Sequence, residues 1–379
     1  MGLHCFERET RVRFARGMKI DNKSSARNSM KRLLILGRFA AGAASRAALV
    51  SFKNGVKITM GRKPYFDERG LFLRQFLLHL LRLRPIRKIT CTGLPGEGAG
   101  SQALMIMNAI NFARRSGLPY VHTPFTHIAH AERPMREWVT AWENLFNLGE
   151  GEAVWDGDRR GVINFCYAFP HLDLCLGRHG SEDEDARHFK SLIPEFRRKY
   201  YSNKSSRTNE VFKVAVHIRR GDVTSADSDY FTSNEIVLRT ITAVKSILDG
   251  REIRHRICVY SEGVRADFAD LSLPEVEFFL GTDAIRTIQE LIEADVLIMA
   301  RGCFSYYAGL ISDGIKLLIP VPPALDQLPG WRWLSVSPLE SWISCSENGS
   351  FDSAALERQL FPALQTKPAN PVPTGWHEK

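Results

Sequence analysis

One apolar run that ends abruptly in charged residues constrains this chain more than any other feature. The sequence Val-Ala-Val-His-Ile at 214–218 leads directly into Arg-Arg-Gly-Asp at 219–222. A short, β-branched, apolar run predicts a buried strand, and ligands of open α/β sheets bind at the carboxyl ends of such strands. The charged loop is therefore expected to lie at a ligand site.

The two adjacent arginines of this loop indicate a ligand that carries phosphate. A guanidinium group offers a planar fork of donors that matches phosphate oxygens. The alternative is a surface cluster of ion pairs after an ordinary strand, with Arg219 and Arg220 in solvent. The flanking His217 and Asp222, together with two loops further along the chain, favour the ligand.

The second half of the chain alternates between short apolar runs and helical patterns. Strands are predicted at 211–218, 257–261, 276–280, 295–300 and 316–320, and helices at 234–248, 283–294 and 306–312. This alternation is typical of a doubly wound parallel sheet.

Two further loops fall at predicted strand ends. One is Ser-Glu-Gly at 261–263, and the other is Arg-Gly-Cys-Phe-Ser at 301–305, directly before a predicted helix. A helix amino terminus is a natural phosphate site. This third loop and the two arginines are therefore predicted to hold a diphosphate between them.

An earlier stretch has the pattern of another α/β half. A predicted strand leads into the glycine-rich loop 93–100, and a helix follows at 101–116 with Ser101 as its expected N-cap. The loop is neither a Walker loop nor a G-x-G-x-x-G loop. Its glycines, Gly98 and Gly100 among them, instead indicate close approach of the backbone to a ligand or a helix.

Length and composition favour a globular protein of two domains. The 379 residues are 44% hydrophobic and 25% charged, with a net charge of +9. We expect a basic, weakly ordered segment at 1–60, an α/β domain at 61–205 and a nucleotide-binding Rossmann-like domain at 206–325. A tail at 326–379 is expected to pack back on the domains.

The beginning of the chain raises the question of a membrane. Its basic segment is either a solvated tail or a binding site for an anionic membrane surface; it also suits nucleic acid, which we do not expect as a partner. The pattern at 66–83 predicts a helix that docks in the core or lies on a membrane. Seven scattered cysteines without a C-x-x-C pair favour a reducing compartment. We expect a cytoplasmic protein, peripheral at the inner face of the membrane.

No metal or other cofactor is expected. No Asp-x-Asp loop stands where it would hold a divalent cation, and His122, His127 and His130 are not spaced to share one face of a regular element. Side-chain cations are therefore predicted to stabilise a departing diphosphate.

Three segments resemble a known group of enzymes. The element His-x-Arg-Arg-Gly-Asp at 217–222 resembles the first signature motif of the α-1,2-fucosyltransferases and their α-1,6- and protein-O-fucosyltransferase relatives. The segment Ala294–Gly309 resembles their third motif, and Gly-Ser-Gln at 100–102 resembles the Gly-Asn-Gln of the α-1,2 members. The resemblance spans about residues 90 to 320.

The resemblance implies a GT-B-like fold of two Rossmann-like domains and an inverting, metal-independent transfer of fucose from GDP-fucose to a glycan hydroxyl. Residues 61–205 would then form the acceptor side. Arg219 is expected at the β-phosphate, with Arg220 helping it or holding the loop, His217 beside the ribose or base, and Asp222 orienting the arginines.

The other expected site residues flank these four. The resemblance assigns donor contacts to Ser261, Cys303, Phe304 and Ser305. It also places a loop near donor and acceptor that contains Gly98, Gly100 and Gln102.

An inverting transfer needs a carboxylate that accepts the proton of the acceptor hydroxyl. Asp227 stands at the spacing where the α-1,6 relatives carry their proposed base. Asp229 is a competitor, and the alternative is that Asp227 is an exposed loop residue without a catalytic role.

The chain departs from the group at two places. Where relatives carry an aspartate that reads guanine, this sequence has Thr287, and Asp283 or Glu290 would have to substitute. The usual Asn-Ser-Ser turn is Arg-Gly-Cys at 301–303. These departures leave two alternatives open: a transferase for another nucleotide-sugar, and a catalytically silent protein that binds a glycan or nucleotide.

Overall fold

The computed structural model describes residues 79, 85–168, 182–204, 211–225, 231–271, 273–319, 339 and 341–365. Apart from His79, all of these residues belong to one compact unit. The predicted basic segment at 1–60 and all but one residue of the predicted helix at 66–83 lie outside the described residues. Within the described part of the chain, no helix combines the length and the apolar character that a bilayer crossing needs.

The N-terminal half of this unit has short parallel strands between helices. Its elements are β1 (Lys88–Thr90), α1 (Ala99–Ser116), β2 (Val121–His122), α2 (Met135–Phe146), β3 (Ala153–Val154), β4 (Val162–Asn164), α3 (Phe165–Ala168) and α4 (Glu182–Tyr201). Strand β1 pairs with β4 and β2 with β3, and a parallel bridge between Ile89 and Tyr120 connects the two pairs.

Helix α1 is the central element of this half. Nearly all of its side chains are buried, from Ala99 to Ala113, so the helix is packed on every side. It ends because Gly117 adopts a left-handed conformation with φ 65°, which glycine does at little cost. Its N-cap is Gly98, so the prediction that Ser101 caps the helix was wrong: Ser101 lies in the first turn and is buried.

The C-terminal half has longer strands that alternate with helices. Its elements are β5 (Phe212–Ile218), α5 (Asn234–Gly250), β6 (His255–Ser261), β7 (Val276–Leu280), α6 (Ala284–Ile292), β8 (Val296–Met299), α7 (Cys303–Ile311), β9 (Ile315–Leu318), β10 (Ile343–Ser344) and α8 (Ser353–Gln365). The strands form one parallel sheet in the order β10-β9-β8-β5-β6-β7. The predicted α/β class with a doubly wound parallel sheet is confirmed.

The strand order reverses beside β5. The chain runs outward from β5 to β6 and β7, then returns so that β8 pairs with the other edge of β5, as in the match of Val214 with Val296. Strand β5 is consequently bonded on both sides and buried on both faces. The crevice outside the carboxyl ends of β5 and β8 is the topological switch point of the sheet, where open α/β sheets bind ligands.

Helices α5 and α8 pack on one core cluster of this sheet, and α6 and α7 lie against β5 and β8. Val214 and Val216 of β5 pack with Val237 and Ile241 of α5 and with Leu356 of α8 in one core cluster. Each fully buried side chain of this size stabilises the fold by about 1.5–3 kcal/mol. The described part of the C-terminal tail thus adds β10 and α8 to the second half of the molecule.

Candidate functional site

The loops after β5 and β8 meet at the switch point because their strands are hydrogen-bonded neighbours. Val216 lies opposite Ile298, and the two chains leave the sheet side by side a few residues later. The loop 219–222 and the segment 300–305, which the sequence placed at separate strand ends, therefore share one crevice.

Arg219 is the cation that this crevice presents. Its Nε donates to Oδ1 of Asp222 at 3.1 Å and its Nη2 to Oδ2 at 2.7 Å. The side chain is 33% exposed. A Cβ built on Gly302 would lie 3.6 Å from Cδ and Nη1 of Arg219, so the arginine lies against the start of α7. The hydrogen bond from Arg219 is also the main reason that the pKa of Asp222 is lowered.

Arg220 points the opposite way, into the protein. Its Nη1 donates to the Arg219 carbonyl at 2.8 Å, and its Nη2 donates to the Thr232 carbonyl at 3.0 Å and to Oδ1 of Asn234 at 2.7 Å. The guanidinium carbon lies 4.2 Å from the centroid of the Phe231 ring. Of the two roles expected for Arg220, this geometry gives the second: it holds the loop against the start of α5.

The second half of the crevice is the amino terminus of α7. The helix begins at Cys303 with Gly302 as N-cap, three residues before the predicted start. The first N–H groups of a helix have no partner within it and carry its positive end. Ser305 lies inside this first turn, fully buried, and its Oγ donates to the Ala300 carbonyl at 3.0 Å. The Ser305 hydroxyl is thus engaged within its own turn, and the donors that this end of α7 offers to the crevice are backbone N–H groups.

His217 and Phe304 form an aromatic wall beside these donors. Their ring centroids are 5.3 Å apart with an interplanar angle of 32°. Burial, followed by the charge of Arg219, lowers the pKa of His217 to about 4, so the ring is neutral at pH 7. Among the described residues, no partner meets the buried Nδ1 of His217. Trp142 of α2 approaches Phe304 from the other half, with centroids 6.3 Å apart.

Ser261 and Cys303, which were expected to contact the donor, make contacts within the protein. The Oγ of Ser261 donates to the Ile218 carbonyl at 2.6 Å and so ties the ends of β6 and β5 together. Burial raises the pKa of the Cys303 thiol to about 12, and the nearby carboxylate of Glu97 acts in the same direction. Cys303 is thus a protonated thiol between the two halves of the molecule.

Gly100 brings the two halves into contact. A Cβ on Gly100 would lie 2.7 Å from the Phe304 Cα and 2.9 Å from the Cys303 carbonyl group, closer than atoms can pack. The predicted close approach of the glycine-rich loop is confirmed, and its partner is the helix α7. A Cβ on Gly98 would meet no atom within 4 Å.

Gln102 supports the glycine-rich loop from below. It is fully buried, and its Nε2 donates to the carbonyls of Glu97 and His127, each at 2.8 Å. Gln102 therefore connects the glycine-rich loop to the loop that contains His127.

The three residues considered for guanine recognition are engaged elsewhere. Asp283 caps α6 by accepting from the Arg286 N–H at 3.0 Å, and it is ion-paired with Arg133. Thr287 is buried, with its Oγ1 3.4 Å from the Thr282 carbonyl. Glu290 binds Lys213 and accepts a hydrogen bond from the Tyr260 hydroxyl, which is a structural arrangement.

An acidic rim borders the crevice, and its members were not among the predicted site residues. The carboxylate of Glu262 lies over Gly221, which has φ +82°, and a Cβ on Gly221 would clash with it. Reduced solvation and the charge of Asp222 raise the pKa of Glu262. Glu132 reaches across from the N-terminal half and accepts from the Ala284 N–H at 3.2 Å. Glu262 directly follows Ser261 in the second of the three loops that the sequence places at strand ends.

Three expectations, on the catalytic base, on metal and on the domain boundaries, stay predictions. Asp227 and Asp229, the base candidates, are outside the described residues. Within the described ranges, no group of three or more His, Cys, Asp or Glu side chains is arranged to hold a metal ion. The domain boundaries at 60, 205 and 325 stay predictions, because the described residues beyond Arg84 form a single compact unit.

The chain is similar to several solved structures of glycosyltransferases. No protein-family model and no curated protein matches the chain. The NodZ alpha-1,6-fucosyltransferase co-crystallized with GDP matches 60% of this chain and 92% of its own, at 15% identity and a TM-score of 0.31. POFUT1 in complex with GDP-fucose matches 62% and 98%, at 13% identity and a TM-score of 0.35. The E. coli heptosyltransferase WaaC with ADP matches 73% and 99%, at 12% identity and a TM-score of 0.36. Each of these likenesses is distant, with an identity of 15% or less.

Proposed function

We propose that this protein is an inverting, metal-independent glycosyltransferase that transfers fucose from GDP-fucose to a hydroxyl of a glycan. The observation that carries the proposal is the position of Arg219, held by Asp222 against the amino terminus of α7 at the switch point of the sheet. A guanidinium group and a helix amino terminus that face one crevice are complementary to a diphosphate.

The chemistry follows from where charge develops. As the bond between the sugar and the diphosphate breaks, negative charge builds up on the leaving β-phosphate. Arg219 and the first N–H groups of α7 stabilise that charge without reorganising, because both are already fixed. The neutral His217 lies beside Phe304 and offers a surface and a ring nitrogen to the ribose or base.

The acceptor hydroxyl attacks from the side opposite the diphosphate and must lose its proton. We assign this step to a carboxylate near the crevice, with Asp227 as the first candidate and Asp229 as its competitor. In this proposal the fold is GT-B-like with two Rossmann-like halves, and the N-terminal half receives the glycan. Contact of the basic N-terminal region with the cytoplasmic face of a membrane belongs to the same proposal.

One observation favours a second candidate, a transferase for another nucleotide-sugar. Asp283 and Glu290 are bound to Arg133 and Lys213, and the Thr287 hydroxyl lies beside a carbonyl. None of the three presents a free carboxylate that would pair with the donor edge of guanine. The diphosphate site is the same in both candidates, and the base distinguishes them.

The test is donor turnover in the presence and absence of glycan acceptors. The wild type is incubated with GDP-fucose, and released GDP is followed; UDP- and CDP-sugars are run in parallel. Arg219→Ala is expected to lower the rate about 10²- to 10³-fold, which is the usual cost of one group that stabilises transition-state charge. Arg239→Ala, which removes an exposed arginine of α5, is the matched control.

Three results would redirect the proposal. Turnover of a UDP- or CDP-sugar in place of GDP-fucose would establish the second candidate. Nucleotide binding without any turnover would indicate a silent binding protein. Absence of thermal stabilisation by GDP would contradict GDP-fucose as the donor.

A further inference from the structure

Two cysteines outside the crevice lie in sulfur contact. Cys91 directly follows β1, and Cys166 lies in α3 directly after β4. Their Sγ atoms are 3.0 Å apart. The proposed transfer reaction uses neither thiol.

The backbone holds this contact in place. Strands β1 and β4 are parallel partners with Thr90 opposite Asn164, so both cysteines lie just beyond the carboxyl ends of these strands. Asn164 fastens the junction, since its Nδ2 donates to Thr92 Oγ1 at 2.7 Å and its Oδ1 accepts from the Cys166 N–H at 3.4 Å. The strand pairing and the Asn164 hydrogen bonds therefore hold the two cysteine backbones next to each other.

The two thiols differ in access. Cys91 is fully buried, whereas Cys166 is half-buried. Burial and the adjacent Cys166 thiol raise the pKa of Cys91 well above its ordinary value. A small oxidant in solvent consequently reaches Cys166 first, with Cys91 behind it as the resolving thiol.

We propose that Cys91 and Cys166 form a reversible intramolecular disulfide when the protein meets a hydroperoxide. The Cys166 sulfur first takes one oxygen from hydrogen peroxide to give a sulfenic acid and water. The Cys91 sulfur then attacks the Cys166 sulfur, the S–O bond breaks and the hydroxyl group leaves with the Cys91 proton as a second water. In sum, two thiols are oxidised by two electrons and one peroxide is reduced to two waters.

Small movement is needed for this step. The S–S bond of a disulfide is about 2.05 Å long, so the sulfurs at 3.0 Å have to approach by about 1 Å. The bond would fasten the end of β1 to α3, directly before the glycine-rich loop that begins at Gly93. We expect the oxidised loop to open less often and its backbone amides to exchange more slowly.

The experiment treats the full chain with hydrogen peroxide under native conditions and then blocks remaining thiols. Peptide mapping without reduction is expected to show Cys91 joined to Cys166, and dithiothreitol is expected to restore both thiols. Hydrogen exchange at 92–98 should slow on oxidation in the wild type. Cys166→Ser and Cys91→Ser should each abolish the effect. Cys258→Ser, which alters a buried cysteine of β6, should retain it.

Several outcomes would overturn the proposal. These are a Cys166 sulfinic acid without cross-link, a Cys91–Cys166 peptide that forms only after denaturation, and unchanged exchange at 92–98 in a cross-linked protein. If Cys91→Ser does not fold, Cys166→Ser still decides the result, because its altered side chain is half-buried. None of these readouts depends on glycosyl transfer, so they fail or succeed independently of the proposed function.

Discussion

The two walls of the crevice are built differently. The C-terminal wall presents charge from loops on long strands: β5 runs over seven residues and is bonded on both edges. The N-terminal wall presents a glycine-rich loop and the helix α1, which follow a strand of three residues. The C-terminal wall holds the Arg219 guanidinium in a fixed direction. The N-terminal wall can lie close to α7 because Gly100 has no side chain.

Within the C-terminal wall, two residues that are adjacent in the sequence have different roles. Arg219 turns to the crevice with Asp222, whereas Arg220 turns into the core beside Phe231. The buried Arg220 binds the Arg219 carbonyl and so supports the loop that presents Arg219 to the crevice. Variants of these residues distinguish side chains that stabilise the site from side chains that would contact a ligand. They are given from the largest expected effect to the smallest.

Removal of the buried arginine should damage the C-terminal wall most. Arg220→Ala leaves the Thr232 carbonyl and the Asn234 amide without their charged partner, and it also removes packing against Phe231. We expect a loss of about 3 kcal/mol in the free energy of unfolding, measured by urea denaturation. Arg219→Ala, the matched variant, should cost less than about 1 kcal/mol because its ion pair is partly exposed. Equal losses would contradict the division of roles.

Acid should weaken the C-terminal wall through His217. Its pKa is about 4 when folded and 6.5 when free, so the unfolded chain binds the proton more tightly. The stabilisation is complete above pH 6.5, decreases as the pH falls toward 4, and does not change further below that. Since one pKa unit corresponds to about 1.4 kcal/mol, we expect a loss of about 3 kcal/mol across this range. His217→Asn should flatten the pH profile of unfolding; an unchanged slope would mean that other groups cause it.

A methyl group on the N-terminal wall should force the walls apart. Gly100→Ala places a Cβ against the backbone of Cys303 and Phe304, which cannot swing aside as a side chain would. We expect a destabilisation of about 2 kcal/mol, despite the better helix propensity of alanine. Gly96→Ala is the control, since a Cβ there meets nothing within 4 Å. Thermal unfolding of both variants checks the expectation, and a Gly100→Ala protein as stable as the control would refute the close contact.

The smallest effect is expected at the helix start. Ser305→Ala removes one buried hydrogen bond to the Ala300 carbonyl and should cost about 1 kcal/mol of stability. Nucleotide affinity should stay within about twofold, because the donors at this end of α7 are backbone groups. Calorimetric titration with GDP checks this, and a tenfold loss of affinity would restore the hydroxyl as a phosphate ligand.

Much of the C-terminal half could be predicted because most of its strands contain short, buried apolar runs. The predicted strand at 257–261 and the predicted helix at 234–248 correspond to β6 and α5 within two or three residues. Helix starts were less predictable, since α1 and α7 are capped by Gly98 and Gly302, and Ser101 resembled a cap of α1.

The direction of individual side chains could not be predicted. Whether Arg220 faces a ligand or the core depends on Phe231 and Asn234, which lie more than ten residues away and meet it only in the folded sheet. The same holds for Ser305, whose hydroxyl is taken by the preceding turn. Pattern locates a site at a strand end, but tertiary packing decides which of its residues face outward.

The most direct test of the account is calorimetric titration of GDP, UDP and CDP into the wild type, Arg219→Ala and the control Arg239→Ala. Arg219 is predicted to bind the diphosphate that these nucleotides share. We therefore expect a nucleoside diphosphate to bind the wild type and the control equally, and Arg219→Ala to bind it about 10- to 100-fold more weakly. Equal affinity of wild type and Arg219→Ala for every nucleotide, or no binding at all, would contradict the switch-point crevice as a diphosphate site.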